Sequence, residues 1–198
     1  MSDILPGQPL TLYDRVSVLL YRAGLAMAAA GIVAGYSLAW FGRALGDQGR
    51  QVETCLLLLT AVGISFGVGF LHLYAATLRR GLRWLWGAAV AGLAVAVLSG
   101  GDPVAFYFQR GYGTVLGGLW IACYAMLCVK EGFCFRLYEG YVFAGLAPVV
   151  MVAHLFAMGT PAVRMAGWGL LAGLVTLFTL RKLPQPLYYD IGDKSKYQ

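Results

Sequence analysis

Lys130-Glu131-Gly132-Phe133-Cys134-Phe135-Arg136-Leu137-Tyr138-Glu139-Gly140 stands between two apolar runs, Gly113 to Val129 and Tyr141 to Met158. An apolar run, a short charged connector and a second apolar run is the pattern of helices that cross a bilayer and turn at its surface. Lys130, Glu131, Arg136 and Glu139 share the connector with Phe133, Phe135, Tyr138 and the thiol of Cys134. That density is high for a passive turn, and the order of residues matches no catalytic motif.

The same alternation runs outward in both directions. Apolar runs cover Ser17 to Phe41, Thr54 to Leu78, Arg83 to Leu98 and Val163 to Leu180. With the two beside the charged stretch this makes six spans, each able to cross a hydrocarbon core of about 30 Å at about 1.5 Å per residue. Ser99-Gly100-Gly101-Asp102-Pro103 stops the third span. Phe106 to Tyr112 is aromatic but too short to cross, and reads as an interfacial segment. The expected fold is all-α, a polytopic transmembrane bundle over residues 17–180. Residues 1–16 and 181–198 read as polar tails.

Composition agrees. Of 198 residues, 60% are apolar and 12% charged, with 27 glycines and a mean hydropathy of +0.70. So few charges cannot cover the surface of a water-soluble domain of this size, whereas lipid accepts apolar surface. The net charge of +6 does not point to nucleic acid, because the basic residues lie between spans and at their ends. The first apolar run follows acidic as well as basic residues and lacks a small-residue cleavage site, so it reads as an uncleaved anchor.

Counting Lys and Arg by side orients the chain. One face collects Arg15, Arg22, Arg79, Arg80, Arg83, Lys130, Arg136, Arg181, Lys182, Lys194 and Lys196. The other collects Arg43, Arg50, Arg110 and Arg164. The positive-inside rule then puts both termini in the cytoplasm, in a bacterial inner membrane. The pairs Gly31/Gly35, Gly63/Gly67, Gly113/Gly117 and Gly169/Gly173 are GxxxG spacings in four spans. Small residues let helix backbones approach, within one chain or across a homo-oligomer.

Two stretches, Asp14-Arg15-Val16-Ser17-Val18-Leu19-Leu20-Tyr21-Arg22-Ala23-Gly24 and Lys130-Glu131-Gly132-Phe133-Cys134-Phe135-Arg136, carry a resemblance. The chain resembles a bacterial integral membrane family catalogued as a domain of unknown function and known mainly in photosynthetic and related bacteria. The resemblance implies an integral membrane fold and no particular activity.

The candidate functional residues are Arg22, Lys130, Glu131, Cys134, Arg136 and Glu139. Arg22 lies inside a span, so it either snorkels to the headgroups or turns inward to an acid. Its depth matches Glu131, and less well Glu139, which makes Glu131 the expected partner. His72, Cys128, Glu131 and Cys134 offer N, S and O donors of the kind zinc takes. Against that, single buried thiols are commonly inert. His72 and His154 fall towards opposite faces, so a haem shared between them is not expected, and no cofactor is assigned. Thr60, Ser65, Thr176 and Thr179 are the few hydroxyls deep in the spans, where back-bonding to the helix usually satisfies them.

No catalytic constellation stands out, and the reading taken is a non-enzymatic interaction or assembly factor for a membrane complex. Its partners are the bilayer and other membrane proteins. A small permease or ion-coupled transporter using Arg22, His72 and Glu131 is the first alternative. A thiol- or metal-dependent membrane enzyme built on Cys128, Cys134 and His72 is the second.

Overall fold

The computed structural model describes residues 10–41, 46–73, 75–99, 102–108 and 111–191. Among these there are only helices, in the order α1 (Leu12–Phe41), α2 (Gly46–Gly69), α3 (Ala76–Leu98), α4 (Pro103–Phe108), α5 (Tyr112–Phe135), α6 (Tyr138–Leu155), α7 (Pro161–Lys182) and α8 (Tyr188–Ile191). Six of them, α1 to α3 and α5 to α7, are long and apolar enough to cross a membrane. Arg43, Arg110, Lys194 and Lys196, used above to orient the chain, lie outside the described residues.

The helix ends differ from the apolar runs for local reasons. α1 starts at Leu12 rather than at Ser17 because Thr11 and Asp14 cap it reciprocally. The Thr11 N–H donates to Asp14 Oδ2 at 2.8 Å, and the Asp14 N–H donates to Thr11 Oγ1 at 3.2 Å. α2 stops at Gly69 and α3 starts at Ala76, so the run Thr54 to Leu78 is not one span. Phe70 and Leu71 pack against the core although the chain has left the helix there. An apolar connector reads as span to any hydropathy sum. α4 is the short aromatic segment, opened by Asp102, whose Oδ1 accepts from the N–H groups of Val104 at 2.8 Å and Ala105 at 3.3 Å. At α7, Thr160 Oγ1 accepts from the Val163 N–H at 3.3 Å with Pro161 in the first turn.

The charged stretch is not a loop. α5 runs through Lys130, Glu131 and Gly132 to Phe135, and α6 begins at Tyr138. Arg136 takes the left-handed conformation, φ 55° and ψ 38°, which closes α5 and lets the chain reverse within two residues. Such a sharp reversal needs close contact between the helices. A Cβ on Gly140 would stand 2.5 Å from the Cys128 carbonyl oxygen. The glycine that weakens helix propensity in isolation here permits the crossing.

Packing centres on α1. Half of its most apolar window is buried, against 22% for α3, whose Trp84, Val95 and Leu98 face outward. The α1–α2 crossing is built on glycine: a Cβ on Gly24 would stand 2.6 Å from the Gly63 carbonyl oxygen, and one on Gly63 2.5 Å from the Ala28 nitrogen. Of the GxxxG glycines, Gly31 and Gly63 serve this crossing and Gly67 meets Leu127. Gly113 and Gly117 pack on α4, Gly169 on Tyr36, and Gly35 and Gly173 open onto free space. Exposed aromatic side chains lie at both ends of the bundle. Tyr13, Trp84, Phe133 and Tyr138 lie at one end, and Trp40, Tyr112 and Phe156 at the other. Rings at headgroup depth are the usual pair of interfacial belts.

Candidate functional site

Three buried stripes each carry a charge. On α1 the stripe is Val18, Tyr21, Arg22, Leu25, Ala28 and Ala29. On α5 it is Trp120, Cys123, Tyr124, Leu127, Cys128 and Glu131. On α7 it is Leu171, Ala172, Val175, Phe178, Thr179 and Lys182. Steps of three and four keep each set on one helix face, so the period that builds the core also delivers Arg22, Glu131 and Lys182 into it. After α7 the chain turns back, and α8 inserts Asp190, 4% exposed, and Ile191, 2% exposed, beside them.

The charges meet at the end of the bundle formed by the start of α1 and the ends of α5 and α7. Arg22 Nε and Nη2 donate to Asp190 Oδ2 at 2.8 and 2.6 Å. Its remaining donors hold the returning chain through the carbonyls of Leu183 at 3.0 Å, Pro186 at 3.0 Å and Gln185. Lys182 bridges the two carboxylates: it contacts Asp190 Oδ1 and stands 2.5 Å from Glu131 Oε2, and it donates to Gln185 Oε1 at 3.2 Å. Lys130 pairs with Glu131 Oε1 at 2.7 Å, and the Tyr21 hydroxyl donates to the same oxygen at 2.6 Å.

Arg22, Lys130 and Lys182 thus face Glu131 and Asp190, three cations against two carboxylates. Aromatic faces meet the surplus positive charge. Lys182 Nζ lies 3.8 Å from the Phe135 ring centroid, and Lys130 Nζ lies 5.5 Å from those of Phe135 and Tyr21. Burying such ions is tolerable only when each has partners and its remaining hydrogen-bonding groups are occupied.

Arg22 turns inward, but the expected partner is corrected. It pairs with Asp190, not with Glu131 or Glu139. Glu131 is held by two lysines and a tyrosine, and Glu139 pairs with Arg181 at 2.6 Å. The reason is the return of the chain after α7, which brings an acid from the expected polar tail into the bundle. Arg136 sits exposed in the hairpin. Tyr21, Lys182 and Asp190 are the members not singled out from the sequence. Tyr21 and Lys182 were legible as continuations of apolar stripes, and Asp190 carried no such signal.

The four candidate metal ligands are not brought together. Cys128 is buried on α5 and Cys134 is exposed, Glu131 is taken by its cations, and His72 lies in the α2–α3 connection, its Nε2 3.4 Å from Ser17 Oγ. Among the described residues no three His, Cys, Asp or Glu side chains are grouped to hold a metal. Burial holds the His72 pKa below the usual 6.5, with the Lys130 charge acting in the same direction. His154 lies at the other end of the bundle, where Nε2 donates to the Phe108 carbonyl at 3.1 Å and the ring packs edge-on against Phe108 and Trp168. The deep hydroxyls of Thr60, Ser65 and Thr176 back-bond to Leu56, Ala61 and Ala172. Thr179 lies 3.4 Å from the Tyr124 hydroxyl.

Six apolar helices, outward-facing side chains that suit lipid and an ion cluster sealed at one end define a multi-pass integral membrane protein. The chain belongs to the family described as "Uncharacterized integral membrane protein (DUF2301)", which matches residues 66–198 and so includes the Lys130 to Arg136 stretch. It is also similar to an uncharacterized protein of Haemophilus influenzae, 24% identical over 200 residues that cover all of this chain and 99% of the relative. No solved structure matches.

Proposed function

We propose that the protein is a non-enzymatic interaction or assembly factor of a bacterial inner-membrane complex, with both termini cytoplasmic. The observation that supports this reading is the sealed ion cluster: the charges are spent on one another and on fixing helix ends. A carrier places exchangeable polar groups near the midplane, along a path that a cargo can wet. Here the charged groups collect at one end, and the hydroxyls of Thr60, Ser65 and Thr176 are bonded to their own helices. Much of the outward surface is apolar and offers area to lipid or to neighbouring membrane helices.

The test is purification of the tagged chain from native membranes in mild detergent, with crosslinking and mass spectrometry of what remains bound. The expected result is one membrane protein in fixed ratio, crosslinked to this chain. A chain that elutes alone and moves protons or a solute in proteoliposomes overturns the reading in favour of an ion-coupled permease. Orientation is checked separately with reporter fusions. A cytoplasmic reporter placed after Gln198 is expected to be active and one inserted near Asp47 inactive, and the reverse pattern refutes the assigned orientation.

A further inference from the structure

The segment from Leu183 to Ile191 is attached to the bundle in an unusual way. Of its nine residues only Asp190 and Ile191 are buried, while Leu183, Pro184, Pro186 and Tyr188 are exposed. Apolar burial is therefore a small part of what holds it. The grip is electrostatic: one carboxylate sits between Arg22 and Lys182, and the Arg22 guanidinium collects the carbonyls of Leu183, Gln185 and Pro186. One aromatic contact adds to it, Tyr189 stacked on Phe135 with centroids 6.1 Å apart and planes 17° from parallel.

We propose that Leu183 to Ile191 is a latch with two positions, closed when Asp190 seats between Arg22 and Lys182, and open when it leaves. Both positions are electrostatically available. When Asp190 withdraws, Lys130 and Lys182 keep Glu131 as their common partner. Arg22 has a long side chain near the end of a spanning helix and reaches water by snorkelling. Because a buried ion pair gives back much of its Coulomb attraction as lost hydration, its closed state lies close in free energy to a hydrated open one. Closing the latch ties the first spanning helix to the last, since Arg22 belongs to α1 and the latch continues from α7. Opening it frees Ile191, 2% exposed when the latch is closed, and parts Tyr189 from the Phe135 ring at the end of α5.

Ile191→Cys is the reporter. In such a chain with Cys55, Cys123, Cys128 and Cys134 changed to Ser, labelling by a membrane-permeant maleimide is expected to be slow, because position 191 is buried when the latch is closed. Adding Asp190→Asn removes the charge that holds the latch closed and is expected to speed labelling by about a hundredfold, whereas Asp190→Glu keeps it within about tenfold of the parent. Tyr189→Ala leaves every charge in place, removes the stack on Phe135 and is expected to give a smaller increase. It decides the matter where Asp190→Asn yields too little protein. A companion chain retaining only Cys123, fully buried within α5, controls for general loosening. Unchanged labelling at position 191 in the variants overturns the latch, and so does equal acceleration at Cys123. The measurement requires no partner, so a failed latch leaves the assembly reading standing.

Discussion

Arg22 Nη2 and Asp190 Oδ2 stand 2.6 Å apart, joining residues separated by 168 positions in the chain. Both are buried while the latch is closed, so removing one partner leaves the other charge to be hydrated only by opening the latch. Arg22→Ala and Asp190→Ala are each expected to destabilise the protein by up to about 3 kcal/mol, the low end for a broken buried pair, because the open latch lets the remaining charge reach water. The double variant should lose less than the sum, with a coupling of about 0.5–3 kcal/mol. Unfolding of the four proteins of the cycle in detergent measures this. Strictly additive losses would show that the two side chains do not act on each other.

Adjacent residues at the end of α7 should differ in cost, because one cation is buried and the other half-exposed. Lys182 is fully buried between Glu131 and Asp190, while the Arg181 side chain, paired with Glu139, is 51% exposed. Lys182→Ala leaves two carboxylates without their shared cation and is expected to cost about 3–5 kcal/mol. Arg181→Ala removes a half-exposed cation but leaves the Glu139 carboxylate, 5% exposed, without it, and is expected to cost about 1–3 kcal/mol. The same unfolding assay compares them, and similar losses would count against the burial assigned to Lys182.

At the α1–α2 crossing, the atoms nearest to a new Cβ on Gly24 or Gly63 include backbone of the opposite helix, which cannot swing aside as a side chain can. Gly24→Ala and Gly63→Ala are therefore expected to destabilise by about 1–3 kcal/mol. Gly35, on the same helix as Gly24, faces open space. Gly35→Ala should be neutral or stabilising by up to about 1 kcal/mol, through helix propensity alone. Thermal stability of the purified variants tests the order, and destabilisation at Gly35 equal to that at Gly63 would contradict this packing.

His72 sets a pH dependence whose sign follows from its environment. Its folded pKa is lowered below 6.5, first by burial and then by the Lys130 charge, with Asp190 and Asp14 opposing. Between the lowered folded value and 6.5 the unfolded chain binds the additional proton. The His72 contribution is thus fully present above 6.5 and is lost as pH falls through the folded value. Stability of the native protein minus that of His72→Gln is expected to decrease on going from about pH 7.5 to about pH 5. A difference that grows on acidification would show that His72 gains a proton on folding instead.

By itself the sequence determined the class of protein, six apolar helices joined by short connectors, because span length and composition are local sums that lipid enforces. It also placed Arg22 and Glu131 as the intramembrane charges in need of partners, and it carried the three- and four-residue steps that lead to Lys182. The tertiary structure decided the rest. Hydropathy could not show that Phe70 and Leu71 turn rather than cross, since a core accepts apolar side chains from a connector as readily as from a helix. Glycine content could not show which glycines lie at crossings, because Gly24 and Gly35 differ only in what stands opposite them. Nor could the sequence pair Arg22 with Asp190. An acid in a polar stretch after the last span looks hydrated, and it becomes a buried counterion only when the chain turns back at Leu183 and the ends of α1, α5 and α7 present cations to it.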